Sequence, residues 1–226
     1  MRVKIYQINS DRDTDRTHFL GSDERNNLFG DLHINESAYD EVFNAVIDET
    51  DLEEMFRRFN TEYHPLYRGY SLSVSDVVVT EDGAFFCDSI GFKPIDFDES
   101  KTHKPDNLMK VVYKEPGKPA FEAEVRNDLE SEQKAVGGFI ECVYNEDNTI
   151  IVCNEEGKLI GMKGNIHLDN GTSIIAGPFF VCGDNGEDFC SLTDEQTQKY
   201  LNKYSEPEDI SDEETQSDVG FSIVTF

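Results

Sequence analysis

Residues 59–92 read FNTEYHPLYRGYSLSVSDVVVTEDGAFFCDSIGF, and the fold class turns on this stretch. Pro65 stops any helix that reaches it and pushes His64 out of the α region. Gly69 suits a tight turn. Leu72, Val74, Val77 and Val79 form a β-rich run, with Ser71, Ser73 and Ser75 as alternating polar partners. Glu81-Asp82-Gly83 signals a hairpin, Asp-Gly favouring a type I′ turn. Phe85-Phe86-Cys87 supplies the returning strand. A helix end, a turn and a hairpin thus follow one another, the order of an α+β domain.

Upstream, Tyr39, Val42, Phe43, Val46, Leu52, Met55, Phe56 and Phe59 recur at helical spacing and predict two helices. Asp51 is the expected N-cap of the second, with Glu54 as its capping-box partner. Val3 to Ile8 predicts a further strand. Downstream, Ser100–Asn107, SKTHKPDN, is polar and carries a proline, which suits a linker. A strand restarts at Leu108–Tyr113, and Pro116–Pro119 is a turn. A helix is expected over 127–136, capped by Asn127 and ended by Gly137-Gly138. Strands are expected at Phe139–Tyr144, Thr149–Cys153 and Gly177–Gly183, then a helix from Asp194 to about Tyr204 capped by Thr193. The expected organisation is two small α+β domains, 1–99 and 108–204, each a mainly antiparallel sheet with one or two packed helices. A linker at 100–107 joins them, and an acidic tail at 205–226 follows, whose charge and paucity of apolar residues over 206–218 predict disorder or a solvated arm.

The words HP at 64–65, RGYSLSVSDVVV at 68–79 and Cys87-Asp88 before SIGF resemble the YodL-like domain over residues 3–98. That domain recurs in proteins of plasmids, phages and integrative conjugative elements. Residues 108–204 resemble a second family of phage and plasmid proteins, through YKEPGKP, VGGFIECV, VCNEEGKL, AGPFFVCG and SLTDEQ in that order. The resemblances imply a mobile-element origin and an α+β fold, and they imply no catalytic residue.

The chain has 226 residues, 47 acidic and 20 basic, for a formal charge of −27. Residues 206–226 hold seven acidic side chains and no basic one. Direct nucleic-acid binding needs a basic footprint and is disfavoured, as is an anionic membrane surface. No apolar run reaches the ~20 residues of a membrane span, and no signal peptide opens the chain, so a cytoplasmic location is expected. The five cysteines lack metal-ligand spacing and read as reduced thiols in cores; no metal and no cofactor is expected.

Ser73, Ser75, Asp76, His64 and Asp88 invite a catalytic-triad reading, but a strand with capped turns is the plainer one. Glu155 and Glu156 beside Lys158 could serve as acid and base, although an Asn-x-x-Gly turn accounts for them too. Gly137-Gly138 and Gly161-x-x-Gly164 lack the strand–loop–helix context of a phosphate loop.

The charge asks for a basic partner. Duplex DNA carries one charge per ~1.7 Å, so 27 charges match about 46 Å of duplex, and mimicry requires carboxylates collected on one face. The expected function is counter-defence: binding and inhibiting a host DNA-binding nuclease, a restriction enzyme or CRISPR effector. The expected contact residues are Asp11, Asp13, Asp15, Asp48, Glu49, Asp51, Glu53 and Glu54, and in the tail Glu206, Glu208, Asp209, Asp212, Glu213 and Glu214. A scaffold for conjugation or replication proteins, and a small enzyme, are the alternatives. The apolar end with Phe221, Ile223, Val224 and Phe226 is expected to dock as an edge strand, in cis or on a partner.

Overall fold

The computed structural model describes residues 1–62, 64–168, 171 and 173–218. The apolar end expected to dock, 219–226, lies outside them. The chain divides into two compact units, Met1–Asp106 and Asn107–Phe226, each α+β.

The first unit is a five-stranded antiparallel sheet in the order β2-β1-β3-β4-β5. Its strands are β1 Arg2–Ile8, β2 Tyr39–Val46, β3 Val77–Thr80, β4 Gly83–Cys87 and β5 Phe92–Ile95. Helix α1 spans Ser22–Phe29 and α2 spans Leu52–Thr61. Asp51 caps α2 as expected, accepting from the N–H groups of Glu53 and Glu54.

The other expected helix, at 39–46, is strand β2. Its burial alternates strictly, with Tyr39, Glu41, Phe43 and Ala45 inside. A period of two is the strand's own; the apolar residues at 39, 42, 43 and 46 mimic helical spacing because Val42 and Val46 also cover part of the surface. The β-rich run at 72–79 forms a strand only from Val77, because Ser73–Asp76 fold into a turn closed by Asp76 N–H to Ser73 O. The hairpin loop is Glu81-Asp82, with Thr80 paired to Gly83. The positive φ falls on Gly83, at 128°, and on neither loop residue, so the turn is not type I′.

Residues 100–103, expected in the linker, belong with Glu99 to the first unit. The Glu99 carboxylate accepts from Tyr6 and from Lys4. His103 exchanges backbone hydrogen bonds with Tyr39 and Glu41. The segment is polar because its anchors are an ion pair and backbone groups, not apolar contacts.

The second unit is a six-stranded antiparallel sheet, β7-β6-β12-β9-β8 with β13 on β12, beside a two-stranded sheet β10-β11. The strands are β6 Leu108–Lys114, β7 Phe121–Arg126, β8 Ile140–Tyr144, β9 Thr149–Asn154, β10 Gly164–His167, β11 Ile174–Ala176, β12 Phe179–Asp184 and β13 Phe189–Cys190. Helix α3 is Leu129–Val136, α4 is Asp194–Lys203 and α5 is Asp212–Ser217. Strand β9 is buried throughout, which only a sheet covered on both faces produces. On one face Val112, Ile151, Phe179 and Val181 meet Tyr200 and Tyr204 of α4. Tyr113, Val152 and Phe180 are cross-strand partners on the other face. There the Tyr113 hydroxyl donates to Ala135 O of α3, at 2.9 Å.

The cap of α3 is Asp128, not Asn127, through its carboxylate on the Ser131 N–H. Thr193 caps α4 in a full capping box with Gln196. All five cysteines are free, and burial pushes the Cys87 and Cys153 thiols up to about 12. Among the described residues no helix is long and apolar enough to cross a membrane.

The tail expected to be solvated is ordered over 206–218. It carries α5, buries Thr215, and lays Ile210 against the backbone of Gly164. Its composition conceals this, since the docking groups are mostly polar side chains meeting polar side chains.

Candidate functional site

The RGYSLSVSD segment surrounds a buried carboxylate. Asp76, fully buried, accepts from Gln7 Nε2 at 2.9 Å and from the Ser73 N–H at 2.7 Å. Gln7 Oε1 in turn accepts from the Tyr70 N–H at 3.0 Å. A Cβ on Gly69 would stand 2.2 Å from that Gln7 oxygen, so the close approach of the backbone requires glycine. Burial pushes the Asp76 carboxyl up to about 7, against the hydrogen bonds from Gln7, Ser73 and Tyr70.

A triad does not assemble here. The Ser73 hydroxyl donates to Ser71 O. His64 Nδ1 accepts from the Leu66 N–H, and its ring packs on Phe43 and Phe59. The Ser75 hydroxyl accepts from the Phe19 N–H. Asp88 accepts from the Ser22 N–H and hydroxyl and pairs with Lys93 at 2.8 Å. Burial opposes its charge, but these bonds win and hold the carboxyl well below its usual range. The motif residues are thus spent on joining β1, β3, β4 and α1. Beside them lies a polar cleft of about 320 Å³, where His18 Nε2 meets the Tyr70 hydroxyl at 2.7 Å between Asp40 and Arg68.

The acidic stretches of the first unit leave opposite ends of the β1–β2 ladder, but α2 folds back and brings Glu53 beside Gly91, next to the start of β5. Asp11, Asp13 and Asp15 follow the Ile8 end of β1, and residues 48–54 follow the Val46 end of β2, beside Arg2. Several are already engaged. Asp13 accepts from Thr17 and the His18 N–H. Asp15 meets His33 and Asn35, Glu49 holds Arg58, and Asp51 caps α2. Asp11, Asp48, Glu53 and Glu54 face solvent.

The tail positions are brought together. Glu208 and Glu214 clasp His167, at 2.7 Å on Nδ1 and 3.0 Å on Nε2. Asp218 accepts from Lys158 Nζ at 2.8 Å, the Ile174 N–H at 2.7 Å and the Ser173 hydroxyl at 3.1 Å. The NEEGK turn therefore serves as an anchor: Asn154 Oδ1 closes it on the Glu156 N–H, and Lys158 ties down the arm. A Cβ on Gly164 would meet Ile210 at 2.5 Å and Thr215 at 2.6 Å. Glu206, Asp209, Asp212 and Glu213 are left exposed on this fixed arm. Sequence reasoning missed the clamp of Lys158, His167 and Gly164; Lys158 and His167 lie 41 to 60 residues from their partners on the arm, and only the arm gives the three a common purpose.

His167 makes the clamp sensitive to pH. The hydrogen bonds that His167 donates to the Glu208 and Glu214 carboxylates raise its pKa above the usual 6.5, since they favour the cation. The contribution to docking is full below 6.5 and is lost as pH rises through the higher folded value. Hydrogen exchange of 206–218, corrected for intrinsic rates, is expected to lose protection on going from pH 6 to pH 9. A pH-independent protection would contradict the clamp.

Fold and surface define a tandem of two antiparallel α+β units with a carboxylate-bearing arm on the second. Residues 2–97 match the YodL-like domain and residues 109–205 match a domain of unknown function, DUF3846, one after the other along the chain. No curated protein matches the chain, and no solved structure does.

Proposed function

We propose that the chain is a mobile-element accessory protein that binds and inhibits a host DNA-gripping nuclease through its carboxylates. The observation that supports it most is the docked arm. Glu206, Asp209, Asp212 and Glu213 face solvent from a backbone held by Lys158, His167 and Gly164. A fixed array of charges loses less conformational freedom on binding than a disordered tail, which leaves more of its electrostatic attraction as affinity. The engagement of Asp13, Asp15, Glu49 and Asp51 within the first unit moves the weight of the reading to this arm. The formal charge of −27 supplies long-range attraction for a basic groove.

Affinity capture from nuclease-treated host lysate, developed with a salt gradient, tests this. A DNA-cleaving defence enzyme released as salt screens the charges is the expected result. A salt-insensitive complex with a protein of the same element would overturn it in favour of the scaffold alternative.

A further inference from the structure

We propose that the acidic pocket over Glu132 is a receptor for a guanidinium group, an arginine side chain of a basic protein. The pocket measures about 490 Å³ and lies between the start of α3, the ends of β8 and β12, and the loop before β13. Glu132 lines it and is only 5% exposed, with the oxygens of its carboxylate open to the pocket rather than sealed in the core. Desolvation and the neighbouring Asp128 disfavour its charge and raise its pKa, and a ligand cation in the pocket offsets that penalty. Asp184, Glu187 and Asp188 line the same pocket, and no Lys, Arg or His does.

The surroundings choose the kind of cation. Among the described residues no group of His, Cys, Asp or Glu is arranged to hold a metal ion. The pocket is instead partly apolar, with Leu129, 57% exposed, and Tyr144, 69% exposed, in its wall. A cation on an aliphatic stem fits such a wall. A guanidinium adds bidentate pairing with a carboxylate and stacking on an aromatic ring, neither of which an ammonium matches. The inner rim is already organised: Asp128 is held by the Ser131 N–H and Asp184 by the Gly186 N–H. The inference deepens the proposed function by naming a group on the partner, and it rests on that reading only for which protein supplies the group.

The test is a titration of the full chain with N-acetyl-arginine amide and with a triarginine peptide, followed by NMR. The resonances of Leu129, Ile140, Tyr144 and Phe189 report the pocket. Saturable shifts at these positions are expected, with the lysine analogues weaker. Glu132→Gln, which keeps the shape and removes the charge, is expected to weaken triarginine binding by about tenfold or more. Neutralising Glu206, Asp209, Asp212 and Glu213 together is expected to leave the pocket shifts in place. Unshifted pocket resonances, or equal binding by Glu132→Gln, would overturn the inference. Binding without any nuclease inhibition would sink the proposed function and leave the receptor pocket standing.

Discussion

Arg25→Met is expected to lower the stability of the first unit by about 3 kcal/mol or more. Arg25 is fully buried and donates to three carbonyls, Thr17 and His33 at 2.9 Å and Leu20 at 3.0 Å. Its guanidinium also lies 4.9 Å from the centre of the Phe86 ring. Methionine keeps most of the stem's packing but no donor, so the three carbonyls lose charge-assisted bonds of about 1.5–3 kcal/mol each. Relief of the buried charge offsets part of this, not the whole, because each abandoned carbonyl brings its own desolvation cost. In a unit of this size 1 kcal/mol is about 4–8 °C, so calorimetry should show the melting of the first unit falling by at least about 12 °C. Exchange protection over 17–33 should fall with it. A drop of only about 2 °C would show that the loop stands without Arg25.

Gly164→Val is expected to release the arm. Gly164 has no positive φ, so valine suits the strand's backbone. The obstacle is space, since even a Cβ would stand 2.5 Å from Ile210 and 2.6 Å from Thr215. With the arm displaced, the contacts of Asp218 with Lys158, Ser173 and Ile174 go together with the His167 clasp, because all depend on one docked segment. Amides of 206–218 should then exchange like open chain, while β9 and β12, buried throughout or nearly so, keep their protection. Retained protection of the arm in the variant would mean that α5 is held by something other than this seat.

The sequence shows some of this plainly and hides the rest for physical reasons. The β3–β4 hairpin, the Asp51 and Thr193 caps and the central strands β9 and β12 are legible because their determinants are local or their apolar runs are long. Strand β2 reads as a helix because Val42 and Val46 fill in its alternation. The arm reads as disorder because Glu208, Glu214 and Asp218 look like any acidic run until His167 and Lys158 are placed opposite them. The apparent cluster from Asp11 to Glu54 is thinned because Asp13, Asp15, Glu49 and Asp51 are already spent on partners or a helix cap. The buried Glu132 is hidden in an ordinary first helical turn, where an acidic residue is expected on dipole grounds alone.

The most direct test of the arm as the inhibitory surface is a DNA-cleavage assay with the captured nuclease. The intact chain would be compared with a variant carrying Glu206→Gln, Asp209→Asn, Asp212→Asn and Glu213→Gln. The proposed function predicts inhibition by the intact chain that weakens with rising salt, and a loss of potency of about tenfold or more in the variant, its arm still protected from exchange. Equal inhibition by both proteins, or inhibition insensitive to salt, would contradict it.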